Sequence, residues 1–243
     1  MEISRRLTIA AAWLLVAAGP LAAQTSPRPS GHWTGTIEIP DHEMPLTVDL
    51  ARSATGAWIG SLSIPSSTSI DVPLDTVAVD GGVLTFTARV PEPASFEGRL
   101  SADGTMVSGT ASNQEGSAPF ALERHGEADV KVPPPSSLLT NAFAGTWQAA
   151  PGAGGARRSL VLTLAAAADG RASATLVQTS RNQQIPVTTV TIDSQQITFE
   201  SRAVSGTFRG TLGPGGAIAG EWTQGGTQVP LTFVRVSAPP SRR

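Results

Sequence analysis

Residues 31–124 of this chain are written a second time in residues 145–235, and the offset drifts from 114 to about 110 as single residues are gained or lost in turns. Gly31-His32-Trp33 faces Gly145-Thr146-Trp147, and the triplet Leu46, Val48, Leu50 faces Leu160, Leu162, Leu164. Further along, Leu84-Thr85-Phe86 matches Ile197-Thr198-Phe199, and Phe96-Glu97-Gly98 matches Phe208-Arg209-Gly210. Gln114, Gly116, Pro119 and Arg124 close the series against Gln224, Gly226, Pro230 and Arg235. A duplication of this kind restricts the chain to one small domain built twice, each copy burying its own core. Between the copies lies Pro133-Pro134-Pro135 followed by Ser136-Ser137, which reads as an extended, semi-rigid linker that lets the copies sit apart. The organisation expected is a signal peptide at 1–23, an N-terminal extension at 24–30, a first β-barrel at 31–125, a proline-rich linker at 126–141, a second β-barrel at 142–236 and a disordered tail at 237–243.

Within each copy the apolar residues alternate with polar or small ones, as in Trp33, Ile37, Ile39; Leu46, Val48, Leu50; and Leu84, Phe86, Ala88. That period of two is the mark of half-buried strands. Turn signals punctuate the runs at Asp80-Gly81-Gly82, Asp103-Gly104, Asp169-Gly170 and Gly225-Gly226, where aspartate and glycine tolerate the positive backbone angles of tight hairpins. Eight strand-like runs per copy, about twelve residues apart, predict an all-β protein of two tandem eight-stranded antiparallel up-and-down β-barrels, with β-sandwiches as the alternative.

The compartment is read from the start of the chain. Arg5 and Arg6, an apolar run from Leu7 to Ala18, then Gly19-Pro20 and small residues up to Ala23 follow the order of a secretory signal peptide cleaved near Ala23. Twelve apolar residues are too few for a resident membrane helix, which needs about 20. Export by the general or the twin-arginine route into the periplasm or the medium is the expectation for a bacterial chain of this kind. The absence of cysteine excludes a disulfide scaffold, thiol catalysis and a lipid-anchored lipoprotein. A formal net charge of -2 argues against a nucleic-acid partner. The copies differ in charge: 12 acidic and 4 basic residues from Ser30 to Gly126, against 4 acidic and 7 basic from Asn141 to Val236. Opposite signs favour docking of one copy on the other, and two independently solvated surfaces are the alternative.

Gly-x-Trp on a first strand with an arginine on the last resembles the calycin group of barrels: lipocalins, fatty-acid-binding proteins and avidin-like proteins. The resemblance implies that Trp33 with Arg124, and Trp147 with Arg235, close one end of each barrel. Arg124 shares strand parity with Phe120 and Leu122, and Arg235 with Leu231 and Phe233, so both arginines are expected on the core side. A tryptophan face offers such a cation an attraction of ~0.5 to 2 kcal/mol. The repeats also look like small barrel modules that precede catalytic domains in secreted bacterial proteins, which implies an accessory role.

Chemistry has little to work with. The three histidines are His32, expected to face solvent beside Trp33, His42 in the turn Pro40-Asp41-His42-Glu43, and His125 at the edge of the copy. Neighbouring residues on a strand point to opposite faces, so Asp41, His42 and Glu43 read as a solvated acidic turn and no metal or cofactor is expected. No Gly-x-Ser-x-Gly, His-Glu-x-x-His or phosphate-cradling glycine motif occurs, and the single lysine, Lys131, lies in the linker. What remains is a recurring small residue in the core-facing pattern, Gly35, Gly60, Gly98 and Gly109 in copy one and Ala149, Ala174, Gly210 and Gly220 in copy two. Two readings stay open. Either the small residues leave room for an apolar ligand beside Trp33, Trp58, Phe86 and Phe96, and beside Trp147, Phe199, Phe208 and Trp222, or they let strands bend and the aromatics fill the core. Copy two, poorer in bulky residues near its start, is the one expected to hold a cavity. The functional expectation is an exported, non-catalytic binding or interaction module whose partner is a small apolar ligand or an envelope protein. A carrier of a hydrophobic molecule and a hydrolase follow as alternatives.

Overall fold

The computed structural model describes residues 29–149 and 160–237. The signal peptide assigned to 1–23, most of the extension after it and the tail from 238 lie outside the described residues.

The first repeat forms β1 (Gly31–Ile39), β2 (His42–Arg52), β3 (Trp58–Ile64), β4 (Ser69–Pro73), β5 (Thr76–Asp80), β6 (Val83–Arg89), β7 (Pro93–Leu100), β8 (Met106–Asn113) and β9 (Gly116–Gly126). The second forms β10 (Gly145–Ala149), β11 (Leu160–Ala166), β12 (Ala172–Gln178), β13 (Gln183–Pro186), β14 (Thr189–Asp193), β15 (Gln196–Ser201), β16 (Gly206–Leu212), β17 (Ala217–Gln224) and β18 (Thr227–Ser237). Each set is one antiparallel sheet, in the orders β4-β3-β2-β1-β9-β8-β7-β6-β5 and β13-β12-β11-β10-β18-β17-β16-β15-β14. The first strand of each repeat pairs with its last, so each meander curls into a half-barrel with its inner face buried.

Nine strands stand in each sheet where eight were expected, and the reason is one bend. Leu74 N–H donates to the Gly60 carbonyl on β3 at 3.0 Å, while the next residue, Asp75, donates to Thr87 on β6 at 2.8 Å. The chain thus passes from one edge of the sheet to the other within two residues, and β4 and β5 stand as separate strands on either side of this bend. In the second repeat the same handover separates β13 from β14, with Thr188 N–H bonded to Glu200 on β15 at 2.7 Å.

The predicted alternation places Trp33, Leu46, Val48, Leu50, Leu62, Leu84 and Phe86 in one core, and Trp147, Leu162, Leu176, Phe199, Phe208 and Phe233 in the other, where Phe143 joins them from the turn before β10. The segment between the sheets is bonded to both. Asp129 N–H donates to Asp49 Oδ1 at 2.8 Å. Ser137 N–H donates to Val190 on β14 and its carbonyl accepts from Ala172 on β12, both at 2.8 Å, while Ser136 Oγ accepts from Val190 N–H at 3.0 Å. Ser137 therefore bridges β14 to the start of β12, beyond the stretch of β12 that β13 pairs, and occupies backbone groups that an open sheet edge would leave unpaired.

Candidate functional site

One end of each half-barrel is built alike. In both sheets the register slips at the residue before the tryptophan, between His32 and Trp33 and between Thr146 and Trp147. Such a bulge re-aims the next side chain, and both indoles are fully buried. Each indole N–H donates to a carbonyl four residues upstream at 2.9 Å, Pro29 for Trp33 and Phe143 for Trp147. The paired arginines differ. The Arg235 guanidinium carbon lies 4.1 Å from the Trp147 ring, and its nitrogens donate to the carbonyls of Ala144 and Ala142. Burial pushes its pKa down from the ordinary value. The corresponding carbon of Arg124 stands 6.0 Å from Trp33, on a side chain that is largely exposed.

Past this end the interiors are filled by aromatic rings. Phe86 and Phe96 stack at 4.5 Å with Phe120 edge-on to both. Phe199 and Phe208 stack at 4.8 Å with Phe233 edge-on to both. Each ring pair of this geometry adds ~0.5 to 1.5 kcal/mol beyond the burial of its area. The glycines leave no room beside them. A methyl on Gly35 would sit 1.8 Å from the Ala121 carbonyl oxygen, on Gly109 1.9 Å from that of Glu97 and on Gly220 2.1 Å from that of Arg209. They admit the neighbouring backbone, as strongly coiled strands require.

Trp58 stands apart from Trp33, the other tryptophan of the first repeat. It is half-buried at the start of β3, with the Arg52 guanidinium 4.0 Å above its ring. Of the eight aromatics singled out above, Phe96 and Trp222 border the openings at the far ends of the half-barrels. The first opening, about 560 Å³, runs between Ile37, Met44, Ile64, Phe96 and Ala118. The second, about 310 Å³ as bounded by the described residues, is lined by Leu160, Leu176, Ile185, Val204, Trp222 and Leu231. Trp222 explains the difference, because it faces Phe208 across the strand pair where Ala111 faces Phe96. Its N–H donates to Gln224 Oε1 at 3.1 Å, and the Gln224 amide donates on to the Val204 carbonyl at 2.9 Å.

The titratable groups are scattered. His32 pairs with Asp49 at 3.0 Å, His125 approaches Glu123 at 3.9 Å on the surface, and His42 is exposed. Among the described residues no three histidine or carboxylate side chains converge as a metal site would need, and no helix is long and apolar enough to cross a membrane. Sequence reasoning missed Phe143, Asp49 and a polar cleft between the repeats. Phe143 precedes the first strand of its repeat, Asp49 lies on the polar phase of the alternation between Val48 and Leu50, and the cleft is made by residues far apart in the chain.

The fold thus defines an all-β protein of two curled nine-stranded antiparallel sheets. No protein-family model matches the chain, and no curated protein matches it by sequence. Among solved structures it is similar to a candidate outer membrane protein of Bacteroides fragilis, at 9% identity and a TM-score of 0.28 over 84% of this chain and 95% of that one. It is also similar to a protein of unknown function in the DUF3598 family of Nostoc punctiforme, at 12% identity and a TM-score of 0.23 over 88% and 97%. With superpositions this loose, the description of the fold stands on the strand pairing.

Proposed function

We propose that the chain is an exported, non-catalytic binding or interaction module made of two calycin-like barrels, acting in the periplasm or outside the cell. The observation that carries this reading is the aromatic trio repeated in both interiors. Barrels closed by stacked rings serve as rigid scaffolds, and their outer surfaces, openings and shared boundary are left for recognition. Dispersed titratable side chains support a role without acid–base chemistry, since catalysis needs a convergent set.

The carrier reading has one specific support, the opening of the second barrel, where Leu160, Leu176, Ile185 and Leu231 stand with Trp222 beside the polar Gln178, Arg181, Gln183 and Gln224. Native mass spectrometry of the protein purified from its own envelope fraction, followed by tryptophan quenching with a fatty-acid panel, separates the two. The module reading expects linear quenching and either a bound protein partner or a polar ligand. A co-purifying apolar mass, with saturable quenching that Trp222→Phe removes, replaces it with the carrier.

A further inference from the structure

The two repeats touch through corners that the duplication itself relates. Residues 65–69 of the first repeat, running from the end of β3 into the start of β4, rest on residues 202–205 of the second, between β15 and β16. Ser69 Oγ donates to the Ala203 carbonyl at 2.8 Å, and Ser205 Oγ donates to that of Thr68 at 2.6 Å. The Arg202 guanidinium donates to the Asp71 carbonyl at 3.0 Å and to that of Lys131. Ser69 and Ala203 are buried there.

Exchanging the repeats defines a second pair of facing corners, β12–β13 and β6–β7. Strand register gives the correspondence: Arg202 answers to Arg89, Asp71 to Gln184 and Pro73 to Pro186. In this half the corners are parted. Arg89 turns to Asp75 at 3.2 Å, and an open cleft of about 870 Å³ lies between the Arg89, Pro91 and Glu92 side and the Asn182, Gln184 and Pro186 side.

We propose that this cleft is a binding site for a neutral, hydroxyl-rich ligand, an oligosaccharide, held between the two repeats. The inference rests on the binding-module reading and names its site and ligand class. Four side-chain amides, Asn113, Gln114, Asn182 and Gln184, and three hydroxyls, Thr87, Ser95 and Ser112, line the cleft. Such groups both donate and accept, as sugar hydroxyls do. Asn113 Oδ1 takes the N–H of Glu115 at 2.9 Å and of Gly116 at 3.1 Å, which orients its amide nitrogen for a ligand. The charges are nearly balanced: Asp75 neutralises Arg89, and Glu92 adds one negative group that disfavours phosphates and other polyanions. The apolar part of the accessible lining is three prolines, Pro91, Pro93 and Pro186, small flat surfaces suited to the C–H faces of a sugar ring.

The test is NMR of the ¹⁵N-labelled chain from Gln24 onward, titrated with maltohexaose, cellohexaose and N-acetylated chitohexaose. Dodecanoate and a ten-residue extended peptide serve as counter-probes. One of the saccharides is expected to shift the side-chain amides of Asn113, Gln114, Asn182 and Gln184 saturably. Ser112→Trp, which fills the cleft, and Gln184→Ala are expected to weaken binding about tenfold or more, while Thr198→Trp on an outer face leaves it unchanged. Shifts with the peptide and none with the sugars overturn the ligand class. Shifts confined to the barrel openings, or none with any saccharide, overturn the site. The module reading is scored separately, by whether the envelope-purified protein carries a partner or ligand in its native mass.

Discussion

The two repeats share what closes the sheet and differ in what faces outward. Both have a bulged, buried tryptophan, a stacked phenylalanine pair and facing glycines, Gly98 with Gly109 and Gly210 with Gly220. Even the third ring is kept, although it comes from different places: Phe120 lies across from Gly109, whereas Phe233 lies across from Ile218. The interior therefore constrains volume and ring geometry more tightly than it constrains position. Outside, Arg235 is locked where Arg124 is loose, Trp222 stands where Ala111 does, and Arg202 seals a corner that Arg89 leaves open.

Removing a shared element should injure either repeat alike and strongly. Phe96→Ala and Phe208→Ala are each expected to destabilise by about 3–5 kcal/mol, from lost burial and a cavity the neighbours cannot fill; denaturant titration of both variants checks this. A large gap between them would show that the trios are not equivalent. Next in size, Gly109→Ala and Gly220→Ala force a methyl against a carbonyl oxygen and should each cost about 1–3 kcal/mol by the same measurement.

The differing elements should separate the repeats by less. Arg235→Ala loses two hydrogen bonds and a close ring contact, so it is expected to cost ~1 to 2 kcal/mol, and Arg124→Ala less than half of that. Equal losses in thermal or denaturant melts would make the closer packing of Arg235 irrelevant. The smallest effect is with pH. Asp103, in the β7–β8 turn, is held at a pKa of about 2 by hydrogen bonds from the Ser101 hydroxyl and the Thr105 N–H and hydroxyl. Because the folded value lies below the ordinary 3.8, its contribution is present above that value and fades as pH falls toward 2. The matching turn, Gly213-Pro214-Gly215-Gly216, has no carboxylate. Carbon-detected NMR from pH 5 to 1.5 should show local loosening at Ser101–Thr105 with no counterpart at 213–216.

Much of the fold was readable from alternation, because a half-buried strand cannot hide its period. Leu46, Val48 and Leu50 fall inward as their spacing demands. The extra strand was not readable: nothing in Val72-Pro73-Leu74-Asp75 says that adjacent N–H groups will bond to strands on opposite sides of a seam. The small residues were legible as a layer but ambiguous in meaning, since a glycine that admits a ligand and one that admits a backbone carbonyl look identical in a string. Trp58 kept the right period yet lies outside the inner core, stacked under Arg52. The cleft was the least legible, because Asn113 and Gln184 become neighbours only when the repeats are placed side by side.

The pairing of β1 with β9, and of β10 with β18, brings the entrance and exit of each unit together at one place. A unit wired this way can be concatenated without crossing its own path, and a copying event need supply only a short tether. Descent by tandem copying from a single ancestral cassette is therefore topologically undemanding for this architecture. A further copy appended after Ser237 would meet the same favourable geometry.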